Sequence, residues 1–310
     1  MVNEFGLIDR IRARVAATSL RDQLVLGIGD DAAVLQPNPD MQLVATADNL
    51  VRGQHFDDCA SPTELGHLAL VVNLSDLAAM GAIPRWSLLT LTLPEADEPW
   101  LDGFLDGYLS VSQTHQCALV GGNITRGPLN IAVTALGEVP ADGYVSRSGA
   151  QAGDRIVVTG TIGDAAAALR YDDAFLRQRL LQPTARVEAG RYLARHAHAM
   201  IDVSDGVLAD LRHLLGACGA EIYLDRLPTS EPLKQCVPAA QERWPFQLNG
   251  GGDYELLALL PAQARIADRT GDVALHEIGQ VTASGHIRCV DPQARMVDIP
   301  ASGWDHFLQH

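Results

Sequence analysis

The stretch Val71-Val72-Asn73-Leu74-Ser75-Asp76-Leu77-Ala78-Ala79-Met80-Gly81-Ala82 constrains the fold of this chain more than any other. It continues a helix whose start is marked by Ser61-Pro62-Thr63-Glu64. Ser61 can cap, Glu64 can reach back as the other half of a capping box, and Pro62 suits the first helical position. Gly81 supplies the stop, so the pattern predicts a helix running to about Met80. A helix this apolar belongs in an interior, yet Asn73, Ser75 and Asp76 interrupt it. A charge buried there needs a partner or a metal ion; the competing reading is a helix face that meets solvent.

A second acidic feature precedes it. In Gly27-Ile28-Gly29-Asp30-Asp31-Ala32-Ala33-Val34-Leu35, two adjacent carboxylates follow a Gly-x-Gly and lead into an apolar run. Adjacent Asp side chains point different ways, so one can reach a hard cation while the other braces it; most such turns are simply solvated loops. Asp48, Asp76, Asp202 and Asp205 recur at the ends of other expected elements or within them. Carboxylates without accompanying His or Cys select Mg²⁺ or Ca²⁺, and Mg²⁺ commonly binds one or two carboxylates together with phosphate oxygens. From the residues alone, the chemistry is that of a Mg²⁺-dependent enzyme of nucleotides or phosphates.

Charge and composition narrow the partners. The formal net charge of −15 argues against nucleic acid and anionic membranes as partners. Lys234 is the sole lysine, and no Gly-x-x-x-x-Gly-Lys-Ser/Thr loop occurs, which excludes a P-loop. The five cysteines are scattered with no Cys-x-x-Cys, as expected of reduced thiols in the cytoplasm. The N-terminus has no basic region followed by an apolar core, and no apolar run is long enough to span a membrane.

Periodicity predicts interleaved helices and strands, an α/β architecture in two domains. The first half reads as a helix around Phe5–Val15, a strand Gln42–Asp48, the helix described above, a strand Trp86–Leu93, a helix with Trp100, Phe104 and Tyr108, a short strand Cys117–Val120 running into a Gly121-Gly122-Asn123 turn, and a strand Asn130–Val139. The small, polar segment Ser146–Asp154 marks the boundary, giving domains 1–149 and 150–310. In the second half a strand Ala199–Asp202 feeds Asp202-Val203-Ser204-Asp205-Gly206 and then a helix with Val207, Leu208, Leu211 and Leu214. Open α/β sheets bind ligands at such junctions; simple capping by Ser204 or Asp205 is the alternative. Gly250-Gly251-Gly252-Asp253-Tyr254-Glu255 is a turn entering a strand Leu256–Leu260.

GIGDDAAV, the strand end at Asp48 followed by Gly53 and His55-Phe56, VNLSDLAAMGA, SRSGA, DVSDG and Gly-Gly-x-Asp-Tyr-Glu-Leu occur in this order over essentially the whole chain. Together they resemble the thiamine-monophosphate kinases of the aminoimidazole-ribonucleotide-synthetase-like superfamily. Selenophosphate synthetases carry a reactive Cys or selenocysteine near the N-terminus, whereas the first cysteine here is Cys59; the hydrogenase-maturation relative ends in a cysteine, whereas this chain ends in His310.

The resemblance implies a two-domain fold that dimerises through the N-terminal sheet, and transfer of phosphate from ATP to thiamine monophosphate with several Mg²⁺ ions. It implies Mg²⁺ ligands at Asp30, Asp31, Thr46, Ala47, Asp48, Asp76, Asn123, Asp202 and Asp205. ATP contacts fall to Gly122, Arg147 and Ser204, and substrate contacts to His55, Gly252 and Trp304, whose ring would stack on thiamine. No side chain is implied as a general acid or base. The chain departs from the family pattern at Ala47, Asn49, Asn123 and Gly252, where Thr, Thr, Asp and Glu or Asp are usual. Ala47 could then ligate only through its carbonyl, and Asn123 through its amide oxygen. A nucleotide- or thiamine-phosphate-binding homologue with reduced or lost turnover is the alternative these departures leave open.

Overall fold

A computed structural model of the chain describes residues 4–20 and 22–299. They form two compact units: the first takes in the described residues up to Leu77 together with Ala82–Asp142, the second Ala78–Gly81 and the described residues from Gly143 onward.

In chain order the first unit carries α1 (Glu4–Ala16), β1 (Leu24–Leu26), β2 (Val34–Leu35), β3 (Met41–Val51), α2 (Pro62–Ala79), β4 (Ile83–Leu93), α3 (Glu98–Thr114), β5 (Ala118–Arg126) and β6 (Asn130–Pro140). The capping box at the start of α2 forms as expected: the Ser61 amide donates to Glu64 Oε2 at 2.7 Å and the Glu64 amide to Ser61 Oγ at 3.2 Å. Strands β3, β6, β4 and β5 make one sheet in that order. The β3–β6 and β6–β4 pairs are antiparallel; β4 and β5 are parallel and are joined through α3, the crossover that parallel pairing requires. Leu50, Ile131, Val133, Leu89 and Leu91 bury one sheet face. The expected Gly121-Gly122-Asn123 turn is not a turn, because β5 runs through it to Arg126. The register slips opposite Ser87 and Leu88, and Gly122, at φ +148°, would set a Cβ 1.7 Å from the Leu89 carbonyl oxygen. The glycines serve a bulge and a close strand contact.

The second unit carries β7 (Arg155–Thr159), α4 (Asp164–Ala168), α5 (Ala174–Leu181), α6 (Val187–Leu193), β8 (Ala199–Asp202), α7 (Val207–Leu215), β9 (Gly219–Tyr223), α8 (Glu231–Cys236), α9 (Ala240–Asn249), β10 (Leu256–Leu260), β11 (Arg269–Thr270), β12 (Val273–Thr282), β13 (Ile287–Val290) and β14 (Met296–Val297). Its sheet runs β14-β13-β9-β12-β7-β10-β8, with β11 on β12. The β8–β10–β7–β12–β9 ladder is antiparallel and only the β9–β13 pair is parallel. The end of β8 and the start of β10 therefore lie side by side. Leu256–Leu260 is buried throughout, which explains its unbroken apolar run.

Candidate active site

Two of the polar interruptions of α2, Asn73 and Asp76, face β3. Thr46 Oγ1 donates to Asp76 Oδ2 at 2.5 Å. Asn73, fully buried, accepts the Asp48 amide at 3.1 Å and donates its Nδ2 to the Ala69 carbonyl at 3.0 Å. Of the two readings of α2, the partnered one holds: Asp76 is half-buried and hydrogen-bonded. Past the end of β3, His55 Nδ1 accepts the Val51 amide at 3.0 Å. In the neutral ring the proton then sits on Nε2.

Four expected ligands do not join this group within the chain. Asp30 and Asp31 are exposed in the turn between β1 and β2, where the Asp31 amide closes on Asp30 Oδ1 at 2.9 Å. Their described bonds stay in that turn. Asn123 pairs with Thr90, Thr90 with Ala132, and Ala132 with Asn49, so these four share a row and a face. The neighbouring row, Asp48-Val133-Leu89-Gly122, has the opposite face, on which Val133 and Leu89 are buried. Asn123 is thus on the other face from Asp48 and three strand spacings away, roughly 14 Å. Gly122 makes the close contact with the Leu89 carbonyl. Ala47 fails for a related reason. The Asp48 amide points outward to Asn73, so by alternation the Ala47 carbonyl points into the β3–β6 ladder.

In the second unit two turns are laced together. The Val203 amide donates to the Glu255 carbonyl at 2.7 Å, the Tyr254 amide to the Val203 carbonyl at 2.9 Å, and the Gly252 amide to the Ser204 carbonyl at 2.9 Å. A Cβ at Gly251 would stand 2.3 Å from that same Ser204 oxygen, so the close approach requires glycine. Asp202, Ser204, Asp205 and Gly252 are therefore gathered at one end of the sheet. Gly252 sits at φ +85°, a conformation that disfavours the acidic side chain usual in the family. Ser146–Gly149 lies along β8, where the Ser146 carbonyl accepts the Met200 amide at 3.1 Å, and Arg147 is exposed. Trp304 lies outside the described residues.

Sequence reasoning missed the carboxylates beneath these turns. Asp210, 2% exposed on α7, accepts the Asp205 and Gly206 amides, each at 3.1 Å. Burial, with Asp205 adding to it, pushes its carboxyl up to about 7 despite those amides. Asp253 accepts the Gly163 amide at 2.6 Å and the Ala165 amide at 3.2 Å. Glu255, fully buried, accepts from Thr159 Oγ1 at 2.5 Å, Arg179 Nη2 at 2.9 Å and Arg186 Nε at 2.7 Å. The one available signal was the cost of burying a carboxylate without donors.

Among the described residues no three His, Cys, Asp or Glu side chains form a group that could hold a metal alone. The candidate donors Asp48, Asp76 and Thr46, and Asp202 and Asp205, all offer oxygen atoms. They fit Mg²⁺, which keeps several waters and shares its remaining positions with phosphate.

Residues 29–139 match the family described as AIR synthase related protein, N-terminal domain, and residues 151–292 match AIR synthase related protein, C-terminal domain. A thiamine-monophosphate kinase of Salmonella typhimurium is 43% identical over 98% of this chain and 98% of its own length. The crystal structure of thiamine-monophosphate kinase from Stenotrophomonas maltophilia K279a aligns with a TM-score of 0.84 at 44% identity, covering 93% of this chain and 96% of that one. AaThiL complexed with AMPPCP and TMP aligns at 0.76 with 32% identity, covering 98% and 97%. The two units and their matches define a member of the AIR synthase related proteins. Within that class, the chain belongs to the thiamine-monophosphate kinase family.

Proposed function

We propose that this chain transfers the γ-phosphoryl group of ATP to the phosphate of thiamine monophosphate, giving thiamine diphosphate and ADP. The observation that carries the reading is similarity over nearly the whole chain to thiamine-monophosphate kinases, together with its likeness to a relative that binds AMPPCP and TMP.

The attacking oxygen belongs to a phosphate that is already anionic, so no side chain has to remove a proton. The obstacle is bringing two polyanions together on a chain of formal net charge −15. Asp48 and Asp76 in one unit and Asp202 and Asp205 in the other are the residues that would hold Mg²⁺. When bound, Mg²⁺ offsets phosphate charge and polarises the transferring group. Ser204 and Arg147 supply donors for ATP. His55 and the Gly252 turn border the substrate. Positioning is the protein's main contribution. The division of labour follows residues 1–149, carrying Asp48 and Asp76, and residues 150–310, carrying Asp202 and Asp205.

The chain also works, on this reading, as a cytoplasmic homodimer joined through the first unit's sheet. Ala45, Ala47, Asn49, Thr90 and Asn123 leave one face of that sheet exposed, and its outer strands β3 and β5 have open edges. Asn123 would then serve a cation site only by way of the second copy. Among the described residues no helix is long and apolar enough to cross a membrane.

The test is conversion of thiamine monophosphate with ATP over a Mg²⁺ titration, with binding of each ligand measured in parallel. Diphosphate formation that needs both ATP and Mg²⁺ supports the reading. Binding of both ligands without product would favour a homologue that has lost turnover.

A further inference from the structure

Asp210 belongs to none of the ligand positions described above, yet it is the one side chain seen to collect the backbone of the turn that presents Asp205. Its Oδ2 accepts the amides of both Asp205 and Gly206 at 3.1 Å, and it is 2% exposed. The turn leaves β8 at Asp202 and enters α7 at Val207, so Asp210 reaches back from the first turn of its own helix. Gly206 has no side chain to cap α7, and Asp210 takes over the amides that a capping side chain would satisfy. Opposite it, the Gly252 amide holds the Ser204 carbonyl at 2.9 Å. The turn is thus fixed from two sides, by Asp210 below and the glycine turn beside it.

We infer that Asp210 is a positioning residue for the cation-binding carboxylate Asp205 and its neighbour Ser204, acting by holding the turn's amides rather than by touching ligand. The inference rests on the reading of Asp202 and Asp205 as Mg²⁺ ligands. Partners one step removed from a metal's ligands typically affect metal affinity or activity by about 10- to 100-fold when removed. Asp210→Ala removes the acceptor, whereas Asp210→Asn keeps an oxygen able to receive both amides and removes the charge.

The experiment uses the full chain and the probes Mg²⁺ and a non-hydrolysable ATP analogue. Amide hydrogen exchange without metal is followed at Asp205 and Gly206; calorimetry follows the Mg²⁺ dependence of analogue binding; KM is measured separately for ATP and for thiamine monophosphate. In the unaltered chain the two amides should already exchange slowly without metal, and fast exchange there overturns the inference even if Asp210→Ala does not fold. Asp210→Ala should expose both amides and raise the Mg²⁺ concentration for half-maximal analogue binding by about 10-fold or more. KM should rise for ATP but not for thiamine monophosphate. Asp210→Asn should retain slow exchange and stay close to the unaltered chain. An unchanged Mg²⁺ requirement in Asp210→Ala overturns the inference, as does a raised one in Asp210→Asn with both amides still protected. Failure of the underlying metal reading would look different: analogue binding by the unaltered chain would not depend on Mg²⁺.

Discussion

At the scale of single residues, Asp76 is the most informative position. Its carboxylate is placed by the Thr46 hydroxyl at 2.5 Å on a helix that otherwise buries apolar side chains. Asp76→Asn preserves the shape and one acceptor oxygen but removes the charge that a cation needs. Phosphoryl transfer should fall by at least about 100-fold, in the range seen for loss of a preorganised electrostatic group, with little change in thermal midpoint. Near-normal turnover at limiting Mg²⁺ would remove Asp76 from the site. Asp76 was legible in the sequence because a carboxylate inside an apolar helix demands an explanation. Asp210 was not, since an acid in the first turn of an amphipathic helix ordinarily just complements the helix dipole. The sheet face taken by Asn123 and the direction of the Ala47 carbonyl were not legible, because which way a strand residue faces depends on register, and pairing partners cannot be read from one strand alone.

The elements show the same division. The capping box of α2 was legible because all its parts lie within four residues. The course of β5 was not, since a Gly-Gly pair suits a turn and a bulge equally and only the neighbouring strand decides. Asn73, fully buried, joins α2 to β3, and Asn73→Ala would remove the acceptor it offers to the Asp48 amide. A loss of about 1–3 kcal/mol in unfolding free energy is expected, read by denaturant titration; a change within a few tenths would mean that water replaces the amide. Asp253 offers a pH test in the second unit. Burial raises its carboxyl from 3.8 to about 7, against the opposing effects of Arg179 and the Gly163 and Ala165 amides. A carboxyl whose folded pKa is raised stabilises the fold in its protonated form. That contribution is complete below about 4 and is lost as pH rises to about 7. Asp253→Asn should flatten this part of the profile of thermal midpoint against pH, and an unaltered slope there would assign the trend to other groups.

For the whole molecule, the interleaving of helices and strands was foreseeable from periodicity. The pairing order was not, because an antiparallel ladder joining β8, β10, β7, β12 and β9 is made of contacts distant in sequence. The proposed dimer can be tested on the sheet's exposed face. Thr90→Arg places a charge in the row of Asn49, Ala132 and Asn123 and should shift the mass from dimer to monomer in light scattering, with activity falling in step. A dimer that persists with full activity would locate the interface elsewhere. Phosphoryl transfer to thiamine monophosphate driven by cations held on carboxylates is read out by chromatographic detection of thiamine diphosphate formed from ATP and thiamine monophosphate across a Mg²⁺ titration. Product should rise with Mg²⁺ to saturation and disappear on chelation. Product formed equally without divalent cation, or none at any Mg²⁺ concentration while both ligands bind, would contradict it.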